Sequence, residues 1–475
     1  MLFSSLTFLY GFLPLTVAAY FVAPRRLRNG VLLVASLVFY GWGGPGYLAL
    51  MSGQILLAYF SGRLIDRWRQ ARWAKAWFAT AVVLTLASLL LFKYADFTVR
   101  NLDAVFGFGF EPLRWTLPLG ISFYTFQILS YLLDLQRGKI AVQRNLLAFA
   151  TYVALFPQLV AGPIVRYSDV EHDLAHREHS LERVAGGCRR FVVGLAKKVL
   201  LANTLGQLAT LMKSAALCSD GGDCAAVSNG GALAAWLYLI AFSLQIYFDF
   251  SGYSDMAIGM GQMFGFRFPE NFNFPYVARS ITEFWRRWHM SLSSWFRDYL
   301  YFPLGGSRRG KRRTCLNLLI VWCLTGFWHG AEWNFLLWGA YYAALLIVEK
   351  FVLRAWLEKL PTALRHLYAL ILVLLGWVLF DAANVQQAGA MLGALFGGSG
   401  GASVASQYYL RSFAVPLLIG MLGATPLVRH LAIGLTKRYP RGQAWLEPIV
   451  LAGLLVLVTA CLVDSSFNPF IYFRF

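Results

Sequence analysis

Charge is scarce in this chain. Only 14% of its 475 residues are charged, against roughly 25% in a typical soluble domain. With 58% of residues hydrophobic, so few charges cannot cover a water-soluble surface. A bilayer solvates such a surface, and only helices or closed barrels cross one, because lipid offers no partner to a free backbone group. The apolar runs are continuous and do not alternate, which selects helices. At roughly 20 residues per span plus loops, the length allows about ten to twelve transmembrane or re-entrant helices. The expected fold is all-α: a polytopic membrane protein forming one integral membrane domain over residues 1–475.

Acids are scarcer still, 23 against 42 Lys and Arg, for a net charge of +19. In a soluble protein that excess would point to nucleic acid. Here the cations sit in short clusters between apolar runs, as in loops retained on the cytoplasmic side. Membrane lipid is the expected partner, and nucleic acid is not. Cysteine is sparse, six in all, with no CxxC pair. Cys188, Cys315, Cys323 and Cys461 lie in or beside apolar runs and read as packing residues. Cys218 and Cys224 flank a polar loop. They pair if that loop faces an oxidising compartment and stay free thiols otherwise.

Other signals are missing. The first charge is Arg25, after the first apolar run, so the N-terminal segment reads as a retained span and not as a cleaved signal. There is no G-x-S-x-G elbow, no P-loop and no H-E-x-x-H. No metal site is expected. No internal repeat is visible.

What is present is a set of polar residues inside apolar runs. The run at 117–135 carries Ser122, Tyr124, Thr125, Gln127, Ser130 and Asp134, so it should face protein and not lipid. The short run at 146–160 is broken by Gly162 and Pro163 and reads as re-entrant. His172, His176 and His179 stand among Asp, Arg and Glu. They read as a solvated amphipathic helix, with a metal site as the alternative. Lys197 and Lys198, near the end of a span, read as snorkelling to headgroups. Asp249 and Asp255 lie in the run at 233–263 and need partners or water. They form either a structural polar knot or part of a site.

Residues 265–313 are too polar and aromatic to cross a membrane. They read as an interfacial, cytoplasmic-side helical segment. Ser280 followed by Glu283 is a capping box. From Ile281 to Phe296 apolar residues recur at helical spacing, which predicts one helix with His289 at the edge of its apolar face. A packed, inert histidine is the alternative reading. The next helix, over 316–328, should end at His329 and Gly330, which puts His329 at a helix break at membrane depth. A histidine there either bonds a backbone carbonyl or does chemistry. A neutral imidazole can take a proton from a hydroxyl as it attacks an ester or thioester carbonyl. Burial favours the neutral form and keeps out water. A transporter with a proton-relay histidine would carry a similar inventory.

Several motifs stand together: FPQLVAGPI at 156–164, YFDFSGYSDMAIG at 247–259, NFNFPY at 271–276, WRRWH at 285–289, RDYLYFPLGG at 297–306 and GFWHG at 326–330. Together they resemble the membrane-bound O-acyltransferase (MBOAT) family, over almost the whole chain. Phe3-Ser-Ser and the closing FIYFRF at 470–475 resemble its alginate O-acetylation branch. The resemblance implies a multi-helix fold around a central funnel. His329 matches the family's signature histidine and is implied as general base. His289 matches the second motif histidine and would shape the donor entrance or relay a proton. Asp249, Asp255, Asn271, Asp298 and Tyr299 would hold the funnel and helix break, with Trp288, Trp328 and Asn334 as further supports.

The resemblance also implies an acyl thioester donor, acetyl-CoA, with no bound cofactor. The group would cross the bacterial inner membrane to an exported polysaccharide such as alginate, or to a periplasmic SGNH-type acetyltransferase partner. D-alanyl or other acyl transfer to an envelope polymer, and non-enzymatic transport, are the alternatives. This chain is longer at its C-terminal end than the teichoic-acid D-alanylation branch usually is, which favours the polysaccharide acetylation side.

Overall fold

The computed structural model describes residues 1–107, 109–217, 231–397, 400–464 and 467. Cys218, Cys224 and the closing motif at 470–475 lie outside the described residues. Of the described residues 79% are helical, and none is in a strand. In chain order the first helices are α1 (Thr7–Val22), α2 (Arg28–Gly41), α3 (Gly46–Arg67), α4 (Arg72–Phe106), α5 (Ile121–Gln136), α6 (Leu146–Ala154), α7 (Phe156–Leu159) and α8 (Tyr167–Ala175). Then come α9 (Leu181–Leu217), α10 (Gly231–Met263), α11 (Ile281–Trp285), α12 (Met290–Phe296), α13 (Gly310–His329), α14 (Trp333–Lys359) and α15 (Thr362–Asp381). The last are α16 (Val385–Leu395), α17 (Val404–Ser412), α18 (Ala414–Gly423), α19 (Leu427–Arg438) and α20 (Ala444–Asp464).

Among the described residues, seven helices are long and apolar enough to cross a membrane: α3, α4, α9, α10, α14, α15 and α20. The pair α18 and α19, bent by 70°, makes an eighth if it is one broken span. The protein is thus a multi-pass membrane protein. The helices α6 and α7, of 9 and 4 residues, are far short of the roughly 20 a crossing needs. Burial sorts the long helices by role. In α10, 78% of the apolar window is buried in protein, whereas in α20 only 6% is.

The chain divides into two compact units. The first holds Met1–Phe191 and Tyr253–Glu270, the second Val192–Gly252 and Asn271–Phe475. The first is centred on Phe3, Phe8, Phe39, Phe156 and Phe264, whose successive ring centroids lie 5.0 to 5.9 Å apart. The polar helix α5 is enclosed there, with 14 of its 16 residues buried. Its Ser, Thr and Gln side chains therefore face protein, as their number in one apolar run predicts. Gly120 starts it at φ +69°, and a Cβ at that position would lie 2.3 Å from the Leu159 carbonyl oxygen. Both the backbone sign and the close approach require glycine.

The second unit is built on tryptophan. Trp285, Trp288, Trp338 and Trp377 are buried together with Tyr342, and Trp322 packs against them. The hairpin of α13 and α14 closes on small residues. A Cβ on Gly326 would meet the Phe335 carbonyl oxygen at 2.1 Å, and one on Gly339 the Trp322 carbonyl oxygen at 2.3 Å. That proximity fixes where α13 ends.

Candidate active site

His289 does not sit on one continuous amphipathic helix. The structure divides the expected helix into α11 and α12, with His289 between them at φ +43° and ψ +54°. This left-handed conformation is uncommon outside glycine, although histidine is among the residues that tolerate it. The start of α11 is doubly held. Ser280 Oγ accepts from the Glu283 N–H at 3.0 Å, which is half of a capping box. The Glu283 carboxylate turns instead to the Arg279 N–H at 2.9 Å and to the Arg287 guanidinium. Burial pushes the Glu283 pKa up, but the bonds from Arg279 and Arg287 outweigh it and hold the carboxyl below its ordinary range. The second support is the buried Glu349. Its carboxylate accepts from the Ile281 N–H at 2.6 Å, the Thr282 N–H at 2.9 Å and the Thr282 hydroxyl at 2.8 Å. A carboxylate at a helix start satisfies orphan amides and suits the helix dipole.

The reversal turns the His289 ring inward, where the residue is 1% exposed. Asn271 receives it. Asn271 Oδ1 lies 3.0 Å from His289 Nδ1 and accepts from the Ser291 hydroxyl at 2.9 Å. With the amide oxygen on that side, Nδ1–H donates and Nε2 keeps its lone pair. The Asn271 carbonyl also accepts from the Met290 N–H at 3.0 Å, so one residue fixes both ring and backbone. Burial pushes the His289 pKa down to about 3, and the imidazole is neutral. The edge of Phe250 closes one side, with centroids 4.6 Å apart at 89°.

His329 is held by rings. It is the last residue of α13, followed by extended Gly330 at φ −164°, so the helix stops where the sequence predicts. A cation at this carbonyl end is favoured by the helix dipole. The imidazole packs against Trp328, Trp338 and Phe380 at centroid distances of 4.9, 5.3 and 5.2 Å. Trp328 also reaches His289, at 6.3 Å, so one indole touches both imidazoles. Asn334 sets the position of Phe380. Its amide donates to the carbonyls of Leu379 at 3.2 Å and Ala382 at 2.7 Å, pinning the end of α15.

The other expected site residues fall into separate places. Trp288 belongs to the aromatic wall beside His289, 4.9 Å from Trp377 and 5.1 Å from Phe272. Tyr299 is buried against Trp295 at 5.1 Å. Asp298 pairs with its neighbour Arg297 at 2.8 Å near the surface. Asp249 faces Lys198 at 2.8 Å, and both are almost wholly buried. Lys198 therefore does not snorkel: its ammonium turns inward and also donates to Asn203 Oδ1 at 2.9 Å. Asp255 belongs to the first unit, where Arg190 bridges it to Glu270. Both acids of the 233–263 run thus have cationic partners.

The three histidines of the polar stretch also belong to the first unit, where the rings of His172 and His176 lie 5.7 Å apart. His172 is exposed on α8, whereas His179 reaches the Tyr20 hydroxyl at 3.1 Å. Among the described residues no group of three or more His, Cys, Asp or Glu is placed to hold a metal.

Comparison with known proteins places this geometry in a family. The family model for MBOAT, the membrane-bound O-acyltransferases, matches residues 139–386. The chain belongs to the membrane-bound O-acyltransferase family. It is similar to "Probable alginate O-acetylase AlgI" of Azotobacter vinelandii, 45% identical over 83% of this chain and 78% of that one. The Pseudomonas putida protein of the same name is 39% identical over the full length of both. "Peptidoglycan O-acetyltransferase" of Helicobacter pylori is 33% identical over 84% of this chain and 80% of its own. This MBOAT protein is therefore an O-acyltransferase, and it needs an acyl donor and an acceptor.

Sequence reasoning passed over three residues of this membrane O-acyltransferase. Glu349 reaches α11 from 68 positions away, and nothing local marks it as a cap. Lys198 carried a signal, a cation in a run that is followed by one with two acids, but snorkelling explained it equally well. Arg190, which pairs with Asp255, lies in the most charged stretch and does not stand out there. The structure also adds a cavity of about 190 Å³ between α12 and α13, lined by Trp285, Leu292, Phe296, Arg297, Trp322 and Thr325. Arg297 in that lining is exposed, and Thr325 lies one helical turn before His329.

Proposed function

We propose that this enzyme moves an acetyl group from acetyl-CoA to a hydroxyl of an exported polysaccharide, alginate or a glycan like it, either directly or through a periplasmic SGNH-type acetyltransferase. The names of its relatives, alginate O-acetylase and peptidoglycan O-acetyltransferase, support acetyl as the group and a polysaccharide as the acceptor. The chain would sit in the bacterial inner membrane with its basic loops in the cytoplasm.

The observation that carries the mechanism is the pair of enclosed histidines sharing Trp328. In this reading His329 takes the proton of the accepting hydroxyl as its oxygen bonds to the acyl carbon. The carbon–sulfur bond then breaks, and the thiolate leaves with the proton returned by the imidazolium. The end of α13 favours the transient positive charge. General base catalysis of this kind contributes about 10²- to 10⁴-fold. His289, neutral and fixed by Asn271, keeps a lone pair on Nε2 for the donor side. The cavity beside Trp285 lodges the donor's arm, with the exposed Arg297 in its lining. The aromatic walls exclude water, which would otherwise consume the thioester.

The test is the acetyl content of exported polymer in cells carrying wild-type protein, His329→Ala or an empty vector, with membrane levels of both proteins measured. The reading expects His329→Ala to match the empty vector. Normal acetylation by that variant would sink it.

A further inference from the structure

A cleft of about 610 Å³ opens in the first unit between the last turns of α3 and the loop that follows α5. Its charge is one-sided. Arg63, Arg67 and Arg144 line it and are exposed. Among the described residues none of the three pairs with a carboxylate. The acid in the lining, Asp66, is turned to another cation, Arg69, at 3.7 Å. Arg69 is itself tied to the Leu135 carbonyl at 3.2 Å. The cleft therefore keeps a surplus of positive charge.

Its geometry is fixed by a phenol. Arg63 donates to the Tyr59 hydroxyl at 3.1 Å, and that hydroxyl donates to the Arg144 carbonyl at 2.6 Å. The Arg63 guanidinium also lies 5.9 Å from the Tyr59 ring centroid. The two sides of the cleft are thus held together before anything binds.

Its depth in the membrane is marked by aromatics. The helix α3 is a candidate span, so its last turns meet the headgroup layer. Leu56 and Phe60 on those turns are 42% and 56% exposed, an apolar face that lipid would cover. Just past the helix end Trp68 and Trp73 pack at 5.6 Å, both exposed. Paired indoles at a span's end are typical of the interface. An anion held here would have apolar surface beside it, as a phosphate with attached acyl chains would use and a soluble phosphate would not.

We propose that this cleft binds the phosphodiester headgroup of an anionic phospholipid, with its chains laid along the Leu56 and Phe60 face. Guanidinium forks match phosphate oxygens in pairs. A basic pocket at the end of a span is a recognised form of lipid recognition. The proposal is independent of the acyl-transfer reading.

The experiment uses purified full-length protein in neutral detergent. Lipid retention by native mass spectrometry and melting temperature are measured with dioleoyl-phosphatidylglycerol, dioleoyl-phosphatidylcholine, glycerol 3-phosphate and inorganic phosphate. The cleft variant R63Q/R67Q/R144Q is compared with the charge-matched R308Q/K311Q/R312Q. Phosphatidylglycerol should bind and stabilise, and phosphatidylcholine should not. The cleft variant should lose about a hundredfold in apparent affinity while the charge-matched control keeps it. The proposal is overturned by equal binding of the two lipids, by unchanged affinity in the cleft variant, or by soluble phosphates that stabilise as well as the lipid. If the triple variant cannot be purified, Arg67→Gln alone should weaken phosphatidylglycerol about fivefold, and no weakening would overturn the proposal.

Discussion

His289 and His329 lie in the same unit and touch the same indole, yet they stand at different backbone features, one at a break between two helices and the other at a helix end. His289 is fixed by hydrogen bonds: Asn271 sets its tautomer, Ser291 supports Asn271, and Glu349 anchors the helix before it. His329 packs between Trp328, Trp338 and Phe380 at the end of a helix. A ring locked by hydrogen bonds has one proton arrangement and keeps it. His329 stands at a helix's carbonyl end, where positive charge is favoured. That position suits a base that must gain and lose a proton in each turnover, and the fixed tautomer of His289 suits an orienting group.

The largest break in this comparison is expected from Lys198→Met. It leaves Asp249 buried without its ammonium, one residue before the Phe250 that packs on His289. Losing one partner of a buried pair costs about 3–5 kcal/mol, so the variant's melting temperature should drop sharply. The double variant Lys198→Met/Asp249→Leu should recover much of the loss. Asn271 comes next. Asn271→Leu removes the acceptor of His289 Nδ1–H and of Ser291, and transfer should fall about tenfold or more. Asn271→Asp should keep the bond and shift the pH–rate profile, a change that loss of packing alone does not produce.

On the other side, Asn334→Leu frees the end of α15 and with it Phe380. Two lost bonds to buried carbonyls cost about 1–3 kcal/mol each. Transfer should fall while the pH dependence of stability stays as in wild type. The most gradual effect is that pH dependence itself. The His289 pKa is lowered from 6.5 to about 3. Between those values the unfolded chain binds a proton that the folded chain excludes. Stability is therefore full above pH 6.5 and falls on acidification, by at most about 1.4 kcal/mol per pH unit. His289→Gln should flatten that slope in thermal melts, and an unchanged slope would count against a buried neutral imidazole.

The same contrast explains what the sequence made legible. The end of α13 at His329, the Ser280 cap and the enclosure of α5 follow from local pattern: a glycine after the last turn, a hydroxyl three residues before an acid, too many polar groups for lipid. The break at His289 does not. Apolar residues keep helical spacing from Ile281 to Phe296, so periodicity predicts one helix, while the left-handed turn exists only in the backbone. Asn271 acts on it from 18 positions away, and Glu349 holds the start of α11 from 68. Lys198 and Asp249 pair across two helices, and a lysine near a span's end looks the same whether it snorkels out or turns in. Local chemistry was readable, and the long-range polar contacts that orient the site were not.

We propose that His329, and not His289, exchanges the proton. It is tested most directly by acceptor-dependent release of CoA thiol from acetyl-CoA, using purified enzyme in vesicles. Wild type, His329→Ala and His289→Gln are compared at equal protein levels. About a thousandfold loss is expected for His329→Ala, and for His289→Gln a smaller loss with residual turnover. Turnover by His329→Ala within tenfold of wild type, or abolition by His289→Gln alone, would contradict it.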